Sequence, residues 1–298
     1  VIGAVDIGGT KIAVGMLSRE GKVLARLEKP SGADLEVKEG LEMIFSMLRE
    51  TSRQVGRPLE GIGVGSTGPV DPFSGRMGFI DFLPRWENCN LVGELQNTFG
   101  VTTFLENDAD AAALAELAWG AGQGAKRFIY VTVSTGIGAG MVFDGHLYRG
   151  ADGAHPEIGH HVIDPSGPLC SCGFQGCWEI LASGPALAAR AGMASAMEVC
   201  RAAEQGSPLA RAAVEKEAYY LGLGIANLVT LFVPDVISLG GGVMHSRHLF
   251  WDKISRTIRE GCGLVPFEKT KLVPAYLGPD TGLAGAAQVW IKGIEHHG

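Results

Sequence analysis

One order of elements occurs twice along the chain, and it limits the folds available. Val1 to Val5 is a short apolar strand that runs into the glycine turn Gly8-Gly9. Lys11 to Leu17 alternates as a second strand, and beyond the turn Gly21-Lys22 a third spans Val23 to Leu27. Near residue 128 the order begins again. Arg127 to Val133 reads as a strand, Ser134-Thr135-Gly136-Ile137-Gly138 as the glycine turn, and Ala139 to Phe143 as the second strand. Leu147-Tyr148, after the turn Asp144-Gly145, completes the set. Short apolar runs bounded by Gly and Asp turns are the mark of hairpin strands. The two copies share no residue-level repeat, only element order. In a chain of 298 residues, the economical reading is α/β: two lobes of one design facing each other across a cleft.

The stretches between fit that reading. Glu39 to Val55 carries Leu41, Ile44, Phe45 and Leu48 at helical spacing. Gly61 to Gly65 is a buried strand ending in Ser66-Thr67-Gly68-Pro69. Leu91 to Phe99 reads as a helix, Thr102 to Glu106 as a strand, and Asp108 to Trp119 as an alanine-rich helix. Lys216 to Phe232 is a long helix, followed by the strand Val236 to Leu239 and the turn Gly240-Gly241-Gly242. Thr281 to Ile291 is a last helix, and Glu295 to Gly298 the one stretch expected to be disordered. Residues 1–107 are the expected N-terminal lobe and 108–283 the C-terminal lobe with its metal loop. The helix 284–298 is expected to return to the first.

The three glycine turns lie where backbone must approach something closely. In Asp6-Ile7-Gly8-Gly9-Thr10-Lys11, the N–H groups of Gly8 and Gly9 are expected to be free to face phosphate oxygens. Thr10 adds a hydroxyl, and Asp6 a carboxylate for Mg²⁺ or its waters. Thr135, Gly136 and Gly138 repeat the device in the second half. Gly240 and Gly241 present a surface free of side chains, suited to a nucleoside.

Cys170, Cys172 and Cys177 crowd into Cys-x-Cys-Gly-x-x-Gly-Cys, with His160 just upstream. Three thiols cannot pair off as disulfides, but with one imidazole they complete a tetrahedral Zn²⁺ set. Such a zinc would bring Glu157 and Glu179 near one another. Cys89, Cys200 and Cys262 carry no spacing signal and read as ordinary thiols of a reducing, cytoplasmic protein.

Asn107-Asp108 ends a strand and opens a helix, so it points toward the expected cleft. Phosphoryl transfer to a hydroxyl needs a carboxylate to take its proton, and Asp108 is the candidate. Asp110 is expected only to favour the helix N-terminus.

The net charge of −7, with no basic block, argues against nucleic acid as a partner. No apolar run is long enough to span a membrane, and no signal sequence is evident.

Taken together, these segments resemble the ROK family (repressor, open reading frame, kinase) of sugar kinases and sugar-responsive regulators over essentially the whole chain. The resemblance rests on Asp6 to Lys11, Glu106-Asn107-Asp108-Ala109, Ser134 to Gly138, Glu157-Ile158-Gly159-His160, Cys170 to Glu179, and Leu239-Gly240-Gly241-Gly242. It implies a two-lobed actin-like ATPase (ribonuclease-H-like) fold with a central cleft. It implies ATP with Mg²⁺ on Asp6, Gly8, Gly9, Thr10, Lys11, Thr135, Gly136, Gly138, Gly240 and Gly241, and zinc on His160, Cys170, Cys172 and Cys177. Asp108 would be the catalytic base. Asn107, Asp108, Glu157, His160, Glu179 and Gly68 would bind the sugar. His160 would give one ring nitrogen to zinc and turn the other to the sugar.

The implied activity is an ATP-dependent kinase acting on the 6-hydroxyl of a hexose, with glucose expected. The cysteine loop resembles the glucokinase and N-acetylhexosamine kinase branches. His155-Pro156 and Ser183-Gly184-Pro185 resemble the fructokinase branch, so fructose, mannose, N-acetylmannosamine and N-acetylglucosamine stay open as alternatives. His155 reads as a surface or supporting residue rather than a sugar contact. A regulator of the same family would carry a winged helix-turn-helix ahead of Asp6, and none is expected. The resemblance implies a homodimer or homotetramer.

Overall fold

The computed structural model describes residues 1–297, so Gly298 of the expected C-terminal helix lies outside the described residues. The chain divides into two compact units. The first comprises Val1–Gly124, His146–His155 and the stretch from Tyr276 onward, and the second Ala125–Gly145 and Pro156–Ala275.

In the first unit, β1 (Ile2–Ile7), β2 (Lys11–Leu17) and β3 (Val23–Pro30) form an antiparallel meander. β4 (Gly61–Ser66) and β7 (Thr102–Asn107) add in parallel to β1, giving the order β3-β2-β1-β4-β7. The small ribbon β5 (Val70–Asp71) and β6 (Arg76–Met77) follows β4. Alternation along β1 sends side chains to two separate cores. Val5 and Ile7 join Leu41, Ile44, Phe45 and Leu48 of α1 (Val37–Val55) and Leu91 and Leu95 of α2 (Leu91–Phe99). Ile2 and Ala4 join Leu283, Ala286, Ala287 and Trp290 of α9 (Thr281–His297) and Ala115 of α3 (Asp108–Trp119). Asp6 shares the second face.

The expected lobe junction at 107/108 falls inside this unit. The chain runs from β7 directly into α3, and α3 packs along α9. Alanines on α3, with Gly285 of α9 set against the backbone of Ala111, allow that close approach. The short strand β10 (His146–Leu147) opens the segment that rejoins this unit at residues 146–155.

The second unit uses the same strand pattern. β8 (Arg127–Val133) pairs antiparallel with β9 (Ile137–Phe143), β11 (Val236–Gly240) is parallel to β8, and β12 (Lys271–Pro274) is parallel to β11. The order β9-β8-β11-β12 thus corresponds to β2-β1-β4-β7. α4 (Trp178–Ala182), α5 (Gly184–Ala191), α6 (Ala196–Glu204), α7 (Pro208–Phe232) and α8 (Trp251–Gly261) enclose one core with Ile129, Val131 and Ile237. α7 begins eight residues before the expected Lys216. Ser207 caps it by accepting from Ala210 N, and Pro208 occupies the first turn, where its missing N–H costs nothing. Among the described residues, no helix is long and apolar enough to cross a membrane.

Candidate active site

The parallel strands bring three of the expected motifs to one edge of the first unit. Ile7 pairs with Ser66, and Ser66 with Asn107, so the turns after β1 and β4 and the start of α3 leave the sheet at the same end. Ligands of open α/β sheets bind beyond the carboxyl ends of such strands.

Asn107 is nearly inaccessible and caps α3: its Oδ1 accepts from Ala109 N at 2.8 Å and Asp110 N at 3.3 Å. With that oxygen committed, its Nδ2 is the group left to meet a ligand. Asp108 is partly exposed, and its Oδ1 also accepts from Ala109 N, at 2.8 Å. A carboxylate in the first turn of a helix is favoured by the macrodipole.

Two buried acids support this junction. Glu106 Oε1 accepts from Asn107 N at 3.0 Å and from Arg149 Nη1 at 3.1 Å, while Arg149 Nη2 donates to Glu106 Oε2. Burial pushes the Glu106 carboxyl above its ordinary range, Arg149 opposes the push, and Asp110 adds to it. Asp110 Oδ2 lies 2.7 Å from His155 Nδ1, and its Oδ1 has no hydrogen-bond partner. Asp110 is therefore not merely a residue favouring the helix N-terminus, as the sequence suggests, but half of a buried pair. His155 is the supporting histidine of that pair. Arg149 carries no motif of its own. It sits 43 residues from Glu106, so no spacing signal joins them.

The first glycine turn differs from expectation at one atom. Gly8 N donates to Lys11 O at 3.0 Å, because a hairpin this tight closes on its own backbone. Of the donors expected to face phosphate from this turn, Gly8 N is thus committed to the hairpin itself. Lys11 directs its ammonium along the meander to Glu28 Oε1 at 2.7 Å. Asp6 lies against Gly282 in the first turn of α9, where a side chain would collide with its carboxylate. Asp6 keeps some exposure, yet its carboxyl is densely enclosed. That burial, and then the charge of Asp108, push it up to about 7 against the pull of Lys11 and Arg26. Gly68 turns the chain after β4 with φ +79°.

In the second unit, Gly240 of β11 pairs with Thr132 of β8, so the turn Ser134 to Gly136 and the Gly241 turn share one end of the sheet. Thr135 is exposed at the tip of its turn, while Gly138 lies inside β9, opposite Thr132. Glu179, in the first turn of α4, accepts from Ile137 N through Oε2 at 2.9 Å. Glu157 precedes the single 3-10 turn Ile158–His160 and remains exposed.

His160, Cys170, Cys172 and Cys177 present four donor atoms within 4.8 Å of one another. Cys172 Sγ lies 3.4 Å from Cys177 Sγ, and Cys170 Sγ lies 3.4 Å from His160 Nδ1. Zn–S bonds of about 2.3 Å require sulfur atoms about 3.8 Å apart around a tetrahedron, so the set fits zinc. Burial and the two neighbouring thiols push Cys177 to about 12, a state that a central cation would reverse. His160 turns Nδ1 toward the sulfurs, which leaves Nε2 for a ligand.

Residues 2–293 match the model of the ROK family. The chain is 32% identical to a glucokinase of Thermotoga maritima, over 96% of this chain and 95% of that protein. The structure superposes on a ROK hexokinase from Thermus thermophilus with a TM-score of 0.87, at 35% identity and 99% coverage of both chains. It superposes on a ROK glucokinase from Streptomyces griseus, solved with glucose and AMPPNP, with a TM-score of 0.82. That match has 32% identity and covers 97% of this chain and 98% of that one.

Proposed function

The chain belongs to the ROK family and has its two-lobed actin-like ATPase fold, and from that premise we propose an ATP-dependent hexose kinase that phosphorylates the 6-hydroxyl of glucose. The observation that carries the reading is Asp108 at the carboxyl end of β7, beside the capping Asn107, in a chain similar along its length to glucokinases. In the reaction, the O6–H bond gives its proton to Asp108. An O6–P bond forms as the bond from the γ-phosphorus to the bridging oxygen breaks, and ADP leaves.

In the first unit, we assign Asp108 as base and Asn107 and Gly68 as sugar contacts. Gly9 and Thr10 serve the phosphates, with Asp6 for Mg²⁺ or its waters. In the second unit, Glu157, His160 and Glu179 serve the sugar, and Thr135, Gly136, Gly240 and Gly241 the nucleotide. Mg²⁺, when bound with ATP, offsets the charge on the transferred phosphoryl group. Zinc on His160, Cys170, Cys172 and Cys177 is structural, because four protein donors leave no open position for water. We further expect a cytoplasmic homodimer or homotetramer.

A coupled assay with Mg-ATP over glucose, fructose, mannose, N-acetylglucosamine and N-acetylmannosamine tests the reading. Glucose is expected to give the highest kcat/KM. Asp108→Asn should keep sugar binding and lose turnover by ~10²–10⁴-fold, the usual scale for general acid–base catalysis. Sugar binding without turnover in the unaltered protein would instead favour a sugar-responsive regulator.

A further inference from the structure

Glu179 is bonded to the second glycine turn. Its Oε2 accepts the amide of Ile137, the residue that closes that turn and opens β9. The contact is tightly built. A Cβ on Gly136 would collide with the same Oε2, and a Cβ on Gly159 would collide with the carbonyl of Ile137. Gly184 N, at the start of α5, donates to Ser134 O at 2.8 Å on the other side of the turn. The turn is therefore gripped at Ser134 and Ile137 by the segments that carry the candidate zinc ligands and Glu179.

The helix holding Glu179 has little freedom. α4 begins at Trp178, directly after Cys177. Trp178 is fully buried, donates its indole N–H to Tyr220 O at 3.0 Å, and fills the space left by Gly224 of α7. At the other end of α4, Arg190 donates to Leu181 O. A carboxylate on such a mount can define the position of the turn it holds.

We propose that Glu179 is a positioning residue for the nucleotide. It fixes the Thr135-Gly136 turn through the Ile137 amide and so ties the zinc-braced segment to phosphate binding. This rests on the kinase reading above, in which that turn meets the phosphates. The consequence is a link inside one unit between a sugar-side residue and the nucleotide turn.

The test measures AMPPNP affinity by calorimetry with no sugar present, so that sugar contacts cannot contribute. Glu179→Ala is expected to weaken AMPPNP by about tenfold or more, the scale of one charge-assisted hydrogen bond. Glu179→Gln keeps a carbonyl oxygen for the Ile137 amide. It should lose AMPPNP affinity by only about threefold, because a neutral acceptor makes roughly half as strong a bond, while its glucose KM rises because the charge is gone. From the other side, Gly136→Ala should raise the glucose KM, since its methyl group displaces Glu179. Unchanged AMPPNP affinity in Glu179→Ala would overturn the proposal and leave the kinase reading standing. So would equal losses in the Ala and Gln variants. If the unaltered protein binds no AMPPNP, the kinase reading fails and the proposal with it. Zinc content and the unfolding midpoint, measured on each variant, separate these outcomes from misfolding.

Discussion

His155 Nδ1 lies 2.7 Å from Asp110 Oδ2, with Asp110 wholly inaccessible and His155 12% exposed. Asp110 also has its amide held by the Asn107 cap, at 3.3 Å. The pair thus sits directly beneath the residues that the proposed chemistry uses. A histidine on one segment and an acid on a helix otherwise distant in sequence together fix the first turn of α3.

Removing one partner of this pair should be costly. His155→Ala would leave a buried carboxylate whose second oxygen already has no partner. Leaving a buried polar acceptor unsatisfied costs about 1–3 kcal/mol, above the ~1 kcal/mol ceiling of most surface pairs. Chemical denaturation should show a loss of that order. Adding Asp110→Asn to His155→Ala should restore part of it, because the acceptor left without its partner is then replaced by an amide that is cheaper to bury. A loss of surface-pair size, or no recovery in the double variant, would mean that the pair does not hold the turn.

Under the proposed function, Asn107 has two separable tasks. Serine caps helices about as well as asparagine, whereas alanine costs about 1 kcal/mol. Asn107→Ser should therefore keep the unfolding midpoint and lose only the Nδ2 donor, raising the glucose KM by about tenfold. Asn107→Ala should lose stability and sugar affinity together. If Asn107→Ser changes stability but not KM, the side chain serves the cap alone.

Elemental analysis should find one zinc per chain. Gly173 and Gly176 turn the loop at φ +94° and +69°, conformations that cost glycine little. They bring Cys172 round to Cys177, so a metal-free loop would carry three crowded thiols with nothing to join them. Cys172→Ser should lower both zinc content and thermal stability. It should also raise the glucose KM, because His160 and α4 lose their common brace. Retention of full stability without zinc would show that buried Trp178 holds α4 by itself.

Much of this molecule is legible along the chain because its signals are local. Leu91–Phe99 and Asp108–Trp119 form as expected: each starts behind an asparagine cap and stops before a glycine. The four parallel and antiparallel pairings around β1 and β8 follow from short apolar strands separated by glycine turns. α5, α6 and α8 gave weaker signals. α5 is short and alanine-rich, although Ile254 and Ile258 of α8 stand at helical spacing and could have been found. The site divides in the same way. The glycine turns, Asn107-Asp108 and the cysteine loop are contiguous motifs. The pairs Arg149–Glu106, His155–Asp110 and Glu179–Ile137 join residues more than 40 apart, and only the folded chain brings them together. Gly8 shows the converse: its residue type suggested a free amide, but the geometry of the turn consumes it.

The last prediction concerns pH and a carboxyl away from the proposed chemistry. Glu217 of α7 is fully inaccessible; Arg190 Nη1 donates to its Oε2 at 2.5 Å, and its Oε1 has no partner. Burial pushes its pKa from 4.5 to about 8, against the opposing pull of Arg190. The folded protein then holds a proton that the unfolded chain releases throughout that interval. Stability from this group is complete below pH 4.5 and is lost as pH rises toward about 8. A shift of this size corresponds to a loss on the order of 4 kcal/mol across the window. Glu217→Gln mimics the protonated form and has nothing to titrate. The two proteins should have similar unfolding free energies at acidic pH, and the unaltered protein should fall behind the glutamine variant as pH approaches 8. The comparison cancels the titration of every other group common to both chains. If the unaltered protein instead gains on the variant as pH rises, Arg190 outweighs burial and Glu217 is ionised in the folded state.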